Sequence, residues 1–213
     1  MTPHSPCPPI ALEQLPRLKE LFAMLNAGRH VNRLSEPVLW AELEREASQY
    51  ERVFGALGYE LRIDGRGYAW FQTGEASATV SKATRQLALL FMLIFEQQAD
   101  AGQHLGRFVD WRIDRALLTG LLDKNRALLD AEGLAEPEHL QQLLDTAARY
   151  GFAEAANGAW RLLPAVFRYL DRFEALAANA NLADDVVELV VATPEHEREP
   201  GFEHEPEPER GAS

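Results

Sequence analysis

The sequence is poor in several things that usually announce a function. Its 213 residues contain one cysteine, Cys7, in a proline-rich start, so a disulfide framework and a cysteine metal site are both excluded. No apolar run reaches the ~18 residues that a bilayer crossing needs. The longest, from Leu87 to Phe95, reads as a core helix. The start Met1-Thr2-Pro3-His4 has neither the basic residues nor the apolar stretch of a signal peptide, so the expectation is a cytoplasmic protein. Catalytic signatures are missing as well. There is no Gly-rich phosphate loop, no His-Glu-x-x-His pair and no Gly-x-Ser-x-Gly elbow. Asp110/Asp114 and Asp184-Asp185 are acid pairs in a chain where acids are abundant and solvating. The expectation is a protein with no cofactor and no enzymatic activity.

Basic residues are also in deficit. Lys and Arg number 21 against 33 Asp and Glu, a formal net charge of −12. Residues Thr193 to Ser213 hold seven Glu and two Arg, which is −5, leaving −7 for the body. A free-standing DNA binder carries a basic excess. Any DNA contact here has to come from a local patch or be shared with a partner.

What the chain does have is a repeated punctuation. Helix-like segments stop at a glycine followed by an aromatic, Gly58-Tyr59 and again Gly151-Phe152, 93 residues later. Each runs into a short hairpin whose return strand carries a tryptophan, Trp70 or Trp160. Asp64-Gly65 and Asn157-Gly158 supply turn chemistry. Before the first hairpin, a helix is expected from Leu12 to Gly28, with Pro16 in its first turn and Gly28 as its stop. A short strand at His30-Val31-Asn32 follows, then a helix capped by Ser35 with Pro37 just inside, then another ending at Gly58. Residues 73–81 read as a linker. A long helix is expected over Lys82–Asp100, apolar almost all round between Leu87 and Phe95. A short strand at 108–111, helices at 112–130 and 138–149, a hairpin at 152–162 and a helix opened by Pro164 complete the order. The expected fold class is mainly α with short β-hairpin wings (α+β), built as tandem winged-helix domains over 12–73 and 82–178. Residues 1–11 read as a tail, 179–192 as a docking or strand segment around Val186-Val187-Glu188-Leu189-Val190-Val191, and 193–213 as a disordered acidic tail.

Candidate site residues follow from this layout. Arg29 and His30 stand at the turn after the first helix, where they either meet phosphate or pack the turn. Arg62 and Arg66 lie on the first hairpin, where a wing can rest on a DNA backbone. Lys82 and Arg85 open the long helix, and Lys124 and Arg126 flank a helix end. The alternative for each is an ordinary solvated face. Leu89, Phe91, Met92 and Phe95 on the long helix are the candidates for dimer or partner packing, or else for internal core. Trp70, Tyr68, Trp160 and Phe152 are read as hairpin packing rather than base stacking.

Four stretches together resemble the MukE/MksE family, the small winged-helix (KITE) subunits of bacterial condensins. They are Leu25-Asn26-Ala27-Gly28-Arg29-His30-Val31; Tyr59-Glu60-Leu61-Arg62 with Gly67-Tyr68-Ala69-Trp70-Phe71; Ala147-Ala148-Arg149-Tyr150-Gly151-Phe152; and Trp160-Arg161-Leu162 with Ala165-Val166-Phe167-Arg168-Tyr169. The resemblance implies a homodimer that binds a kleisin of the MksF/MukF type and, through it, an SMC-type ATPase (MksB/MukB-like). It implies a nucleoid-associated role in chromosome condensation and segregation, or plasmid defence as in the related Wadjet systems. It also carries over Arg149 as a DNA-binding candidate. One departure stands out: the helix 138–149 holds two acids and one Arg where relatives are basic. That disfavours a sequence-reading transcription regulator and points to weak DNA contact, or contact only within the complex.

Overall fold

The structure, a computed structural model, describes residues 12–72 and 81–178. The expected N-terminal tail, linker, docking segment and acidic tail fall on or run into residues outside these. The described chain is mainly helical with two small antiparallel sheets.

A 3-10 turn at Leu12–Gln14 precedes α1 (Leu18–Asn26). The helix therefore begins later than the apolar spacing suggests. Pro16 disfavours helical geometry at Leu15 and offers no N–H of its own, so the chain turns there before α1 starts. Gly28, at φ 74°, ends α1 as the sequence indicates. β1 (Val31–Asn32) leads into α2 (Pro37–Arg45) and α3 (Ala47–Ala56). The cap of α2 is Glu36, not Ser35, and its side chain bonds none of the helix's own N–H groups. The Glu36 carboxylate is instead taken by the Asn32 N–H, the Ser35 hydroxyl and Arg29.

β2 (Glu60–Asp64) and β3 (Tyr68–Gln72) form the first hairpin, and β1 adds to the other side of β3, giving the order β1-β3-β2. Asp64 pairs with Tyr68 across a three-residue loop whose positive φ is at Gly67 (99°), not at Gly65. Leu21, Leu25, Val31, Leu43, Tyr50, Phe54 and Ala69 close a first core beneath this sheet.

α4 (Lys82–Asp100) matches its expected span and is capped by Ser81, whose hydroxyl accepts from the Thr84 N–H at 3.1 Å. The segment expected as a strand at 108–111 is part of a 3-10 helix, Leu105–Asp110. Spacing of three explains it. Phe108 and Trp111 share one face in a 3-10 turn, and both pack on Phe95, whereas a strand would point them to opposite sides. The strand-like pairing shifts to Ile113, which bridges Trp160. The expected helix over 112–130 is two, α5 (Arg115–Lys124) and α6 (Arg126–Ala131), parted at Asn125. α7 (Pro137–Arg149) buries Leu140, Leu143, Leu144 and Ala147 at helical spacing. It delivers the chain to β4 (Ala153–Ala156) and β5 (Ala159–Leu162). Their two-residue turn has positive φ at both Asn157 and Gly158, the geometry that matches strand twist. Pro164 opens a 3-10 turn, and α8 (Phe167–Ala178) begins after it. A second, larger core gathers α4, α5, α7, the second hairpin and α8, and it includes Tyr68 from β3.

Candidate nucleic-acid and partner interfaces

The strand β1 is too short to bury much apolar area, yet both its residues are buried. It acts as a polar fastener instead. Asn32, with no exposed surface, uses its whole amide. Its Nδ2 donates to the Gly151 carbonyl at 2.8 Å and to the His30 carbonyl at 3.3 Å, and its Oδ1 accepts from the Ala165 N–H at 3.2 Å. Next to it, the His30 N–H donates to the Tyr150 carbonyl at 2.9 Å. The first hairpin is thereby tied to the start of the second and to the turn before α8.

His30 is 1% exposed, and its ring lies 4.4 Å from Phe152, centroid to centroid. Nδ1 is 2.9 Å from the Tyr150 carbonyl, and Nε2 is 2.7 Å from Nη1 of Arg168. A carbonyl only accepts and a guanidinium only donates. The ring is therefore neutral, with its proton on Nδ1. Burial and the Arg168 charge together hold its pKa well below the ordinary 6.5, at about 3, against the raising effect of the Tyr150 carbonyl. The Arg168 guanidinium in turn stacks on Trp70 at 4.6 Å.

A second tie joins the first hairpin to α8. Arg66 reaches both oxygens of Asp171, at 2.6 and 2.5 Å, and both oxygens of Asp64, at 2.9 and 2.7 Å. It also covers the Phe167 ring at 4.4 Å. The bidentate fork makes this a directional contact. Hydrogen bonds from Arg66 are the main reason the Asp64 carboxyl is held down to about 2.

Six of the nine DNA-binding candidates end on a carboxylate. Arg29 pairs with Glu36, Arg62 with Glu60, and Arg66 with Asp64 and Asp171. Arg85 pairs with Glu132, Lys124 with Glu96 and Asp100, and Arg126 with Asp123. Lys82 and Arg149 are exposed, and neither forms an ion pair with a described residue. His30 lies inside, as described. The tryptophan tips are also engaged: Trp70 Nε1 donates to Gln72 at 3.1 Å and Trp160 Nε1 to Asp145 at 2.9 Å.

Of the four partner-packing candidates, Phe91 is fully buried against Phe152 and Tyr169, and Phe95 is half-buried against Phe108 and Trp111. Leu89 is half-buried, whereas Met92 is 44% exposed. Two ion pairs bracket this stretch of α4. Arg85 meets Glu132 just past α6, and Glu96 meets Lys124 at the end of α5. Halfway between them, Leu128 of α6 is 46% exposed. Leu89 and Met92 stand between the two brackets on α4, and Leu128 stands between them on the α5–α6 segment. Sequence reasoning missed Leu128, because an isolated leucine in a helix looks like core until its neighbours are known. It also missed Asn32 and Arg168 as organising groups. The available signal was an asparagine in a strand too short to be held by apolar packing and a basic residue amid Val166-Phe167-Arg168-Tyr169.

Among the described residues, no group of three or more His, Cys, Asp or Glu is placed to hold a metal ion, and no helix is long and apolar enough to cross a membrane.

A family model described as condensin complex protein MksE matches residues 16–174. That span includes both hairpins and every residue of the polar fastener between them. No curated protein matches the chain.

Proposed function

The chain belongs to the family of condensin complex protein MksE, and we propose on that basis that it is a non-enzymatic accessory subunit which dimerises and binds the kleisin of an SMC-type complex. The family match over residues 16–174 carries this reading. In it, residues 12–73 and 82–178 are two winged-helix domains in tandem. Support comes from the recurring order of helices followed by an antiparallel hairpin, with β1 flanking the first hairpin and Ile113 flanking the second. Leu89, Met92 and Leu128 are the dimer or kleisin contact, since apolar surface rimmed by charge marks protein partners. The SMC-type ATPase is reached through the kleisin. DNA is held weakly by this subunit alone, in a nucleoid-associated complex that condenses and segregates chromosomes. Six of the nine candidate cations already face carboxylates, which supports weak DNA binding, because a paired cation releases less counterion when it meets a phosphate.

The test is co-purification with a kleisin of the same organism, followed by sedimentation of the chain alone and in mixture. A dimer that forms a stoichiometric complex with the kleisin is expected. A monomer that ignores the kleisin would sink the proposal.

A further inference from the structure

Most arginines of the described chain end on a carboxylate. Arg168 and Arg172 do not, although they stand one turn apart on the same face of α8 and are both half-buried. Arg168 has only a neutral partner, the His30 Nε2 at 2.7 Å, and the Trp70 ring at 4.6 Å. The Arg172 Nε is shut off from solvent and has no acceptor among the described residues. The nearby acids do not answer this need. Asp171 is gripped by Arg66, and Glu174 is exposed one turn further on. A half-buried guanidinium with no carboxylate among its described neighbours leaves a planar fork that fits an oxyanion with two oxygens.

We propose that Arg168 and Arg172, beside Trp70, form a carboxylate-binding site on α8 whose occupant is this chain's own acidic segment, Thr193–Ser213. Three features favour that occupant. The segment carries seven Glu and two Arg, a charge opposite in sign to the two guanidiniums. It is attached to the very helix that holds the site, with Thr193 fifteen residues beyond Ala178, the end of α8. At ~3.4 Å per extended residue that spacer reaches about 50 Å, so geometry permits return to Arg172. Tethering also raises the local concentration of carboxylates to the order of millimolar, an advantage no free acidic peptide has. An occupied site is closed to phosphate, so the segment sets how readily α8 meets nucleic acid.

The experiment uses the full chain with Cys7→Ser and a nitroxide on Gly201→Cys. At low salt, the label is expected to broaden the amide signals around Arg172 and the Trp70 indole signal. The broadening disappears at about 1 M salt, where the Debye length is ~3 Å. It disappears also in Arg172→Gln and when the seven tail glutamates become glutamine, and it survives in Arg172→Lys. Arg172 makes none of the contacts of the polar fastener, so its variants keep the fold, which their unperturbed spectra verify. No broadening, or broadening that persists in a folded Arg172→Gln chain, overturns the proposal. So does broadening that fades on dilution with unlabelled chain, because the contact is then between molecules. In a second arm, a short DNA duplex should bind more tightly to the glutamine-tailed chain, with the gain lost in Arg172→Gln. Duplex binding at Arg172 that ignores the state of the tail would identify a phosphate site instead and overturn the assignment. Neither arm involves the kleisin or the ATPase, so the result is independent of the complex-subunit reading.

Discussion

Asn32 and Gly151, 119 positions apart, are joined by a 2.8 Å hydrogen bond from the Asn32 amide to the Gly151 carbonyl, with no solvent on either side. The same amide accepts from Ala165, so one side chain fixes β1 to the second hairpin and to the entry of α8. Asn32→Leu leaves three buried backbone groups short of a partner, and Asn32→Asp adds a buried charge beside two carbonyls. Each is expected to cost about 2–4 kcal/mol. Urea denaturation followed by circular dichroism checks this; a loss below about 1 kcal/mol would show that water replaces the amide.

Gly151 tests the same junction from the other side. Its φ is 78°, and an added Cβ would collide with the His30 carbonyl and lie 3.2 Å from the Asn32 amide nitrogen. Gly151→Ala therefore combines left-handed strain with a clash against immobile backbone and should cost about 2–4 kcal/mol. Gly158 has a similar φ of 70° but open space around it, so Gly158→Ala should cost only about 1 kcal/mol. Comparison of the two denaturation midpoints separates clash from strain.

His30 makes stability depend on pH in a defined window. Its folded pKa of about 3 lies below the ordinary 6.5, so between these values the unfolded chain takes up a proton that the folded chain refuses. The contribution is complete above pH 6.5 and is lost progressively as pH falls toward 3. At pH 5 the loss is on the order of 2 kcal/mol. In His30→Gln, which keeps a donor and an acceptor, the slope of unfolding free energy should fall by about one proton at pH 5 and about half a proton at pH 6.5. An unchanged slope would place the titration elsewhere.

Arg66 ties the first hairpin to α8 through Asp171 while holding Asp64 down at about 2. The Asp64 contribution is present above pH 3.8 and lost as pH falls toward 2. Arg66→Ala should return the Asp64 pKa toward 3.8, readable by carboxyl NMR, and speed amide exchange in β2 and β3. Its stability cost is modest, about 1 kcal/mol, because both carboxylates remain partly exposed to water.

Met92, exposed on α4 between the Arg85–Glu132 and Glu96–Lys124 pairs, separates assembly from folding. Met92→Asp should leave the melting temperature of the isolated chain nearly unchanged, within about 0.5 kcal/mol. It should weaken the dimer or the kleisin complex by tenfold or more, about 1.4 kcal/mol, in sedimentation or calorimetry. Unchanged assembly would remove this stretch of α4 from the partner surface.

Local chemistry made several elements readable in advance. The apolar run of α4 marked that helix, and the Asn157-Gly158 turn marked the second hairpin, whereas sequence reasoning missed the capping role of Ser81. The errors arose where local signals are ambiguous. Phe108 and Trp111 suit a strand by propensity, but their spacing of three serves a 3-10 turn once Phe95 lies beside them. Ser35 is a better cap by type than Glu36, yet cap choice followed the groups that needed Glu36. Among the candidate cations, sequence gave the charge but not the neighbour, and an ion pair such as Arg85–Glu132 joins residues 47 positions apart.

By itself, the sequence determined the helical content, the two hairpins, the acid excess and the family resemblance, because propensity, turn chemistry and charge are written residue by residue. Only the tertiary structure decided that His30 is a buried neutral joint, that Asn32 fastens the halves, and that Arg168 and Arg172 stand on α8 without a counter-charge among the described residues. Those properties depend on which distant groups arrive within hydrogen-bonding distance and on how much water they exclude, and no spacing along the chain encodes either.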